Sequence, residues 1–134
     1  MNYWLVKSEP SAYSWEQFVA DGQTAWTGVR NYAARLHLNG MKTGDEVLFY
    51  HSSEGMAVMG IAEVIKEKFP DPTTNDERWV AVELKPKMPL KKAVTLQQIK
   101  AEKKLKNTGL IRIGRLSVMP LQKEEFDLII KMGN

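Results

Sequence analysis

The sequence predicts an α+β fold, a small, curved, mixed or antiparallel sheet or β-barrel with short helices packed over its ends. Three observations predict it. Strand-like segments outnumber helix-like ones. None of them alternates with a helix in a regular β-α-β pattern, which argues against a doubly wound parallel sheet. The helical segments are short and carry their own start and stop signals. With 134 residues, 43% of them hydrophobic and 26% charged, the chain reads as one domain over 1–134, long enough to bury a core without staples.

The elements follow in order. Tyr3 to Val6 is an aromatic-apolar strand ending in Lys7-Ser8. Ser14-Trp15-Glu16-Gln17 has the capping-box form and opens a helix to about Ala20, closed by Asp21-Gly22. A second short helix runs from Asn31 to Leu38. Asn39-Gly40 stops it, two residues that tolerate the left-handed conformation at a helix end. Glu46 to His51 is a strand, Ser52 to Gly55 a turn, and Met56 to Lys66 pairs back as a hairpin. Lys68 to Glu77, with two prolines around an acid, reads as a long surface loop. From Trp79 to Lys85 the pattern alternates, Val80, Val82 and Leu84 on one face and Trp79, Ala81 and Glu83 on the other. Thr95-Leu96-Gln97-Gln98 is a second capping box, opening a lysine-rich helix towards Lys104. Leu110 to Ile113 and Leu116 to Met119 are short strands, and Lys123 to Lys131 is a terminal helix with Phe126, Ile129 and Ile130 inward.

Composition excludes several classes of function. There is no cysteine, so disulfides, zinc-cysteine sites and thiol nucleophiles are out. No apolar run approaches the roughly 20 residues a membrane helix needs. The N-terminus has no basic region followed by an apolar stretch, so a soluble cytoplasmic protein without membrane or obligate protein partners is expected. Net charge is only +3, but Lys85 to Arg115 holds ten cations against one acid, Glu102. Such a local excess attracts polyanions. A solvated face kept for solubility would give the same run.

Catalysis has little support. The two histidines are His37 and His51. His51 precedes Ser52, Ser53 and Glu54, but triads are spatial, and neighbours at one strand end point to different faces. Glycine patterns of phosphate-binding loops and of nucleophile elbows are missing. Two separated histidines without cysteine do not suggest a transition-metal site. No cofactor, no metal and no enzymatic activity are expected.

Binding is better supported. In Trp26-Thr27-Gly28-Val29-Arg30-Asn31, the indole offers a flat face for stacking a base. Thr27, the backbone at Gly28 and the amide of Asn31 offer hydrogen bonds to a base edge. Lys7 and Ser8, at a strand end, face the same mouth in this reading, with His51 and Ser52 as further hydrogen-bonding candidates. Core packing is the ordinary role of a tryptophan, and Trp4 and Trp15 are assigned to it. Phe69, beside the proline-rich loop, is a candidate lid aromatic. Lys103, Lys104, Lys106, Arg112 and Arg115 are the candidate phosphate contacts.

These residues also carry a resemblance. Tyr3-Trp4-Leu5-Val6-Lys7-Ser8-Glu9-Pro10, Trp26-Thr27-Gly28-Val29-Arg30-Asn31-Tyr32, Gly44-Asp45 with Phe49-Tyr50-His51-Ser52, Gly60-Ile61-Ala62-Glu63-Val64, Arg78-Trp79-Val80 and Arg115-Leu116-Ser117-Val118 together resemble the EVE domain family across essentially the whole chain. That resemblance implies a PUA-like fold, a small β-barrel with flanking helices, and recognition of a modified base in DNA or RNA. The pattern is more distantly similar to YTH domains, which hold N6-methyladenine of RNA in an aromatic cage. On that similarity Trp26 is a cage wall, with Lys7, Ser8, Thr27 and Asn31 around it. Phe69 stands where a second cage tryptophan would be sought.

The expectation is therefore a non-catalytic nucleic-acid reader that takes a modified, methylated base into an aromatic pocket. A binder of a free modified nucleobase, nucleoside or similar metabolite is the alternative. It needs the same pocket and no basic surface.

Overall fold

A computed structural model describes residues 1–134. The turn at Ser52 to Gly55 reverses the chain, so that β3 (Glu46–His51) pairs antiparallel with β4 (Ala57–Pro70), with Phe49 opposite Gly60. β4 pairs in turn with β5 (Val80–Thr95), and β5 with the three-residue β2 (Thr24–Trp26). On the other side of β3 lies β1 (Tyr3–Ser8), the one parallel neighbour in the sheet, and then β6 (Val118–Leu121). The order β2-β5-β4-β3-β1-β6 leaves β2 and β6 as edges. The sheet is thus the curved, open form of the expected fold rather than a closed barrel. Helix α1 (Trp15–Asp21) follows β1, and α2 (Tyr32–Gly40) follows β2 and packs against both β6 and β5. No helix is long and apolar enough to cross a membrane.

Phe49 organises the core. It is fully buried, stacks on Phe18 at 5.3 Å, and receives Trp15 and Trp26 edge-on at 5.4 and 5.6 Å. Each such pair adds about 0.5–1.5 kcal/mol beyond the burial of area. Gly60, facing Phe49, is needed for space. A Cβ there would lie 2.4 Å from the Trp15 ring, and the β4 register shifts at this point. Buried Asp45 closes the other end of β3. Its carboxylate accepts from the N–H groups of Asn2 and Lys42 and from Trp4 Nε1, at 2.9–3.1 Å, which ties the start of β1 to the Gly44-Asp45 turn.

The caps are where the sequence placed them. Ser14 Oγ accepts from Gln17 N at 3.0 Å, although the Gln17 amide donates to Asp21 instead of returning to the cap. Thr95 and Gln98 form the reciprocal box that starts α3 (Leu96–Ala101). Terminal helix α5 (Lys123–Met132) buries Phe126 and Ile129, with Ile130 half-buried.

Several elements differ from expectation. Residues predicted as a strand from Leu110 form part of α4 (Gly109–Arg112), because the Thr108 carbonyl accepts from both Ile111 and Arg112 N–H. The final strand begins at Val118 rather than Leu116. The lysine-rich helix stops at Ala101, where Glu102 caps a separate 3-10 turn at Lys103–Leu105 by accepting from Lys104 N. Gly40 does not adopt a left-handed conformation. It lies against Trp4, whose ring a Cβ would meet at 3.3 Å. The expected loop at 68–77 starts later, since β4 continues to Pro70.

Candidate functional site

The ends of β1 and β2 line one cavity, and two local devices shape it. At the end of β1, Ser8 Oγ donates to the Tyr13 carbonyl at 2.6 Å, while the N–H groups of Ala12 and Tyr13 both donate to the Glu9 carbonyl. This tight turn brings Tyr13 against Trp26, edge-on with ring centres 6.4 Å apart. At the end of β2 the chain turns through Gly28, at φ +80°, a conformation that favours glycine although nothing crowds its Cβ position.

Asp71 fixes the second device. Its side chain is fully buried. One carboxylate oxygen accepts from Gly28 N at 2.8 Å and Arg30 Nη1 at 3.0 Å, the other from the N–H and hydroxyl of Thr73 at 2.8 and 2.6 Å. Burial by itself would raise the carboxyl pKa. The hydrogen bonds from Thr73, Gly28 and Arg30 outweigh it and hold the group well below the ordinary carboxylate range. The guanidinium of Arg30 also donates to the Thr73 hydroxyl and lies 5.6 Å from the Trp79 ring centre. Asp71 thereby clamps the segment after β2 onto the loop after β4.

Between these devices lies a cavity of about 600 Å³, lined by Lys7, Ser8, Glu9, Ala12, Tyr13, residues 24–31 and Ser117. That volume suits a single small organic group. Trp26 is 8% exposed. Most of its ring belongs to the core around Phe49, and what remains open borders the cavity. Lys7 is half-buried, its Nζ donates to the Gly114 carbonyl at 3.0 Å, and burial lowers its pKa. Asn31 Oδ1 caps α2 by accepting from Ala34 N at 3.0 Å, which leaves its amide NH₂ as the available donor. Aromatic surface, a cation, hydroxyls and an amide thus line one cavity. No histidine lines the cavity. No group of three or more His, Asp or Glu side chains is arranged to hold a metal ion.

Seven residues singled out from the sequence come together here: Lys7, Ser8, Trp26, Thr27, Gly28, Arg30 and Asn31. The others lie elsewhere. His51 is buried, its Nε2 accepts from Trp15 N at 3.0 Å, and burial lowers its pKa, so the ring is a neutral part of the core. Ser52 lines a neighbouring cavity of about 550 Å³. Phe69 sits within β4 opposite Ala81, with Lys66 Nζ 4.7 Å from its ring centre, because the strand extends past the expected loop start. Lys103 and Lys104 occupy the 3-10 turn, with Lys106 just beyond it, all exposed. Arg112 donates to Asn107 Oδ1 and borders a third cavity, while exposed Arg115 lies between α4 and β6. Two contributors were missed. Tyr13, just before the Ser14 cap, carries no local sequence signal for the site. Asp71 was read as part of a loop, although an acid between two prolines marks a fixed turn.

The EVE domain family model matches residues 2–132. Thymocyte nuclear protein 1 of Mus musculus is 34% identical, the match covering 98% of this chain and 73% of that protein. Among solved structures, Rpa0253 from Rhodopseudomonas palustris is 50% identical with a TM-score of 0.94, covering 99% of this chain and 93% of that one. Human THYN1, solved in complex with 5-methylcytosine-containing DNA, is 30% identical with a TM-score of 0.93, covering 100% and 98%.

Proposed function

This chain belongs to the EVE domain family, and on that footing we propose that it is a non-catalytic reader of a modified base in nucleic acid, with the base held in the cavity beside Trp26 and Tyr13. The observation that carries this reading is the composition of the cavity lining. Two aromatic rings, a half-buried lysine, the hydroxyls of Ser8 and Thr27 and the Asn31 amide surround a space of about 600 Å³. Flat apolar surface and directional donors are what a base offers in return. The reported complex of human THYN1 with DNA containing 5-methylcytosine makes a methylated cytosine the first ligand to test.

The energetics require help from outside the cavity. Flipping a base out of its stack costs a few kcal/mol, and contact with an aromatic returns about 1–3 kcal/mol. Phosphate contacts must supply the rest, and the exposed cations of the Lys85–Arg115 stretch are the available source. Turnover has no support in this lining. It holds one carboxylate, Glu9, and no histidine, and His51, the register partner of Ser8, is occupied by Trp15 N–H. One observation favours the rival reading, a binder of free modified nucleosides: Lys103, Lys104 and Lys106 border none of the three principal cavities.

Titration with paired oligonucleotides, plain and 5-methylcytosine-containing, tests the proposal. The expected result is tighter binding of the modified strand, with the preference lost in Trp26→Ala while residual salt-dependent binding persists. Equal affinity for modified and plain strands, with tight binding of the free nucleoside, would select the rival.

A further inference from the structure

The cavity beside Trp26 does not end at Lys7. A second depression, of about 550 Å³, begins on the other side of the same residue, and Lys7, Glu9 and Ser117 line both. We infer that this adjoining depression is a subsite for the nucleotide next to the modified base, with the connecting phosphate resting on Lys7. The inference rests on the reading of the first cavity as the base site.

Three features carry it. Lys7 stands at the saddle between the two hollows, and its Nζ makes one hydrogen bond, to the Gly114 carbonyl. An ammonium group has three protons, so two remain for an anion. The depression then adds a second cation, exposed Lys100 at the end of α3, and the hydroxyls of Ser52 and Ser53; its sole acid is Glu9, at the shared edge. Finally, Leu110, Ile111 and Met56 give it an apolar part, and Met56 is 44% exposed. A cationic threshold leading to a half-apolar, half-hydroxyl hollow matches a phosphate followed by a sugar and base. A polymer whose modified base enters the first hollow must also leave it, and this exit is continuous with the entrance.

The subsite predicts that binding depends on what neighbours the modified base. The experiment compares 5-methyldeoxycytidine with dinucleotides carrying one extra nucleotide on the 5′ or the 3′ side, titrated against the wild type, Lys100→Glu and Lys131→Glu. Both lysines are exposed, so both variants should fold, and both make the same change in net charge. One of the two extensions should raise affinity about tenfold over the nucleoside. Lys100→Glu should remove most of that gain and leave nucleoside affinity unchanged, whereas Lys131→Glu, in α5 and outside the depression, should keep it. If the methylated nucleoside is preferred over the plain one but neither extension helps, or if the gain survives Lys100→Glu, the subsite is wrong and the base site stands. If methylated and plain ligands bind alike throughout, both fall.

Discussion

The arginines around the Tyr32–Trp79 pair and the lysines of the 85–115 stretch carry the same charge and differ in the freedom left to them. Arg30 is held by Asp71, Thr73 and the Val29 carbonyl. Arg78 is locked on Asp76, whose carboxyl its hydrogen bonds lower to about 2, and it donates to the Tyr32 hydroxyl. Arg35 donates to the Arg78 carbonyl and lies over the Tyr32 ring at 5.6 Å. Along the lysine stretch, Lys87 pairs with Glu46, while Lys91, Lys92, Lys100, Lys103, Lys104 and Lys106 are exposed and take part in no salt bridge. The planar guanidinium suits fixed, multidentate contacts, and the ammonium on its flexible stem suits a mobile field. One set of cations is fixed in place and reaches the cavity through Arg30; the other is available to draw in a polyanion.

The sharpest way to break this contrast is Asp71→Asn. The amide cannot satisfy all four donors now gathered on the carboxylate, and Arg30 loses its counter-charge. Removing one partner from a buried pair costs about 3–5 kcal/mol, and the half-exposed Arg30 brings the expected loss to about 2–3 kcal/mol. Thermal unfolding should shift down by roughly 10 °C, and discrimination for the modified base should weaken with it. An unchanged melting curve would mean that the clamp is not what holds the rim.

Double charge reversal, Lys103→Glu with Lys104→Glu, should act oppositely. Stability should stay within about 0.5 kcal/mol of the wild type, as for surface substitutions generally. Affinity for modified and plain strands should fall together, by about tenfold or more at low salt, with a shallower dependence on salt concentration. Loss of modified-base preference in this variant would contradict the division of labour.

Acid titration gives the smallest effect and separates the buried groups. Burial depresses the pKa of His51, with Glu16 opposing it weakly, and also that of His37. The unfolded chain therefore takes up protons first as pH falls below 6.5, the ordinary histidine value. Stability should be highest above that pH and decline gently below it. Asp71, depressed in the fold, adds a steeper loss once pH falls below 3.8, its ordinary value. Denaturation measured from pH 3 to 8 should show both limbs. His51→Gln should flatten the upper one and Asp71→Asn the lower.

The sequence makes the frame of this site legible and its closure less so. Trp26 to Asn31 and Lys7-Ser8 could be singled out because polar and basic residues around an indole are unusual core company, and the structure brings them together on one cavity. Helix starts were legible because caps are local: Ser14 and Thr95 act within three residues. The contacts that close the site are not local. Asp71 reaches Gly28 across 43 positions. Tyr13 reaches Trp26 through a turn set by Ser8 and Glu9. Phe69 misled because a strand end looks like a loop start wherever prolines follow. The run of cations is one stretch of sequence divided among β5, α3, the 3-10 turn and α4, so proximity along the chain does not by itself place these residues on one face.

The claim on which the rest depends is that a base enters beside Trp26, and the indole N–H resonances of the four tryptophans report on it without any mutation. On titration with a 5-methylcytosine-containing oligonucleotide, the Trp26 resonance should shift markedly. That of Trp4, whose Nε1 is bonded to buried Asp45, should stay in place. A plain oligonucleotide should move Trp26 far less. Saturable binding that leaves the Trp26 resonance where it began would show that the ligand is held somewhere else.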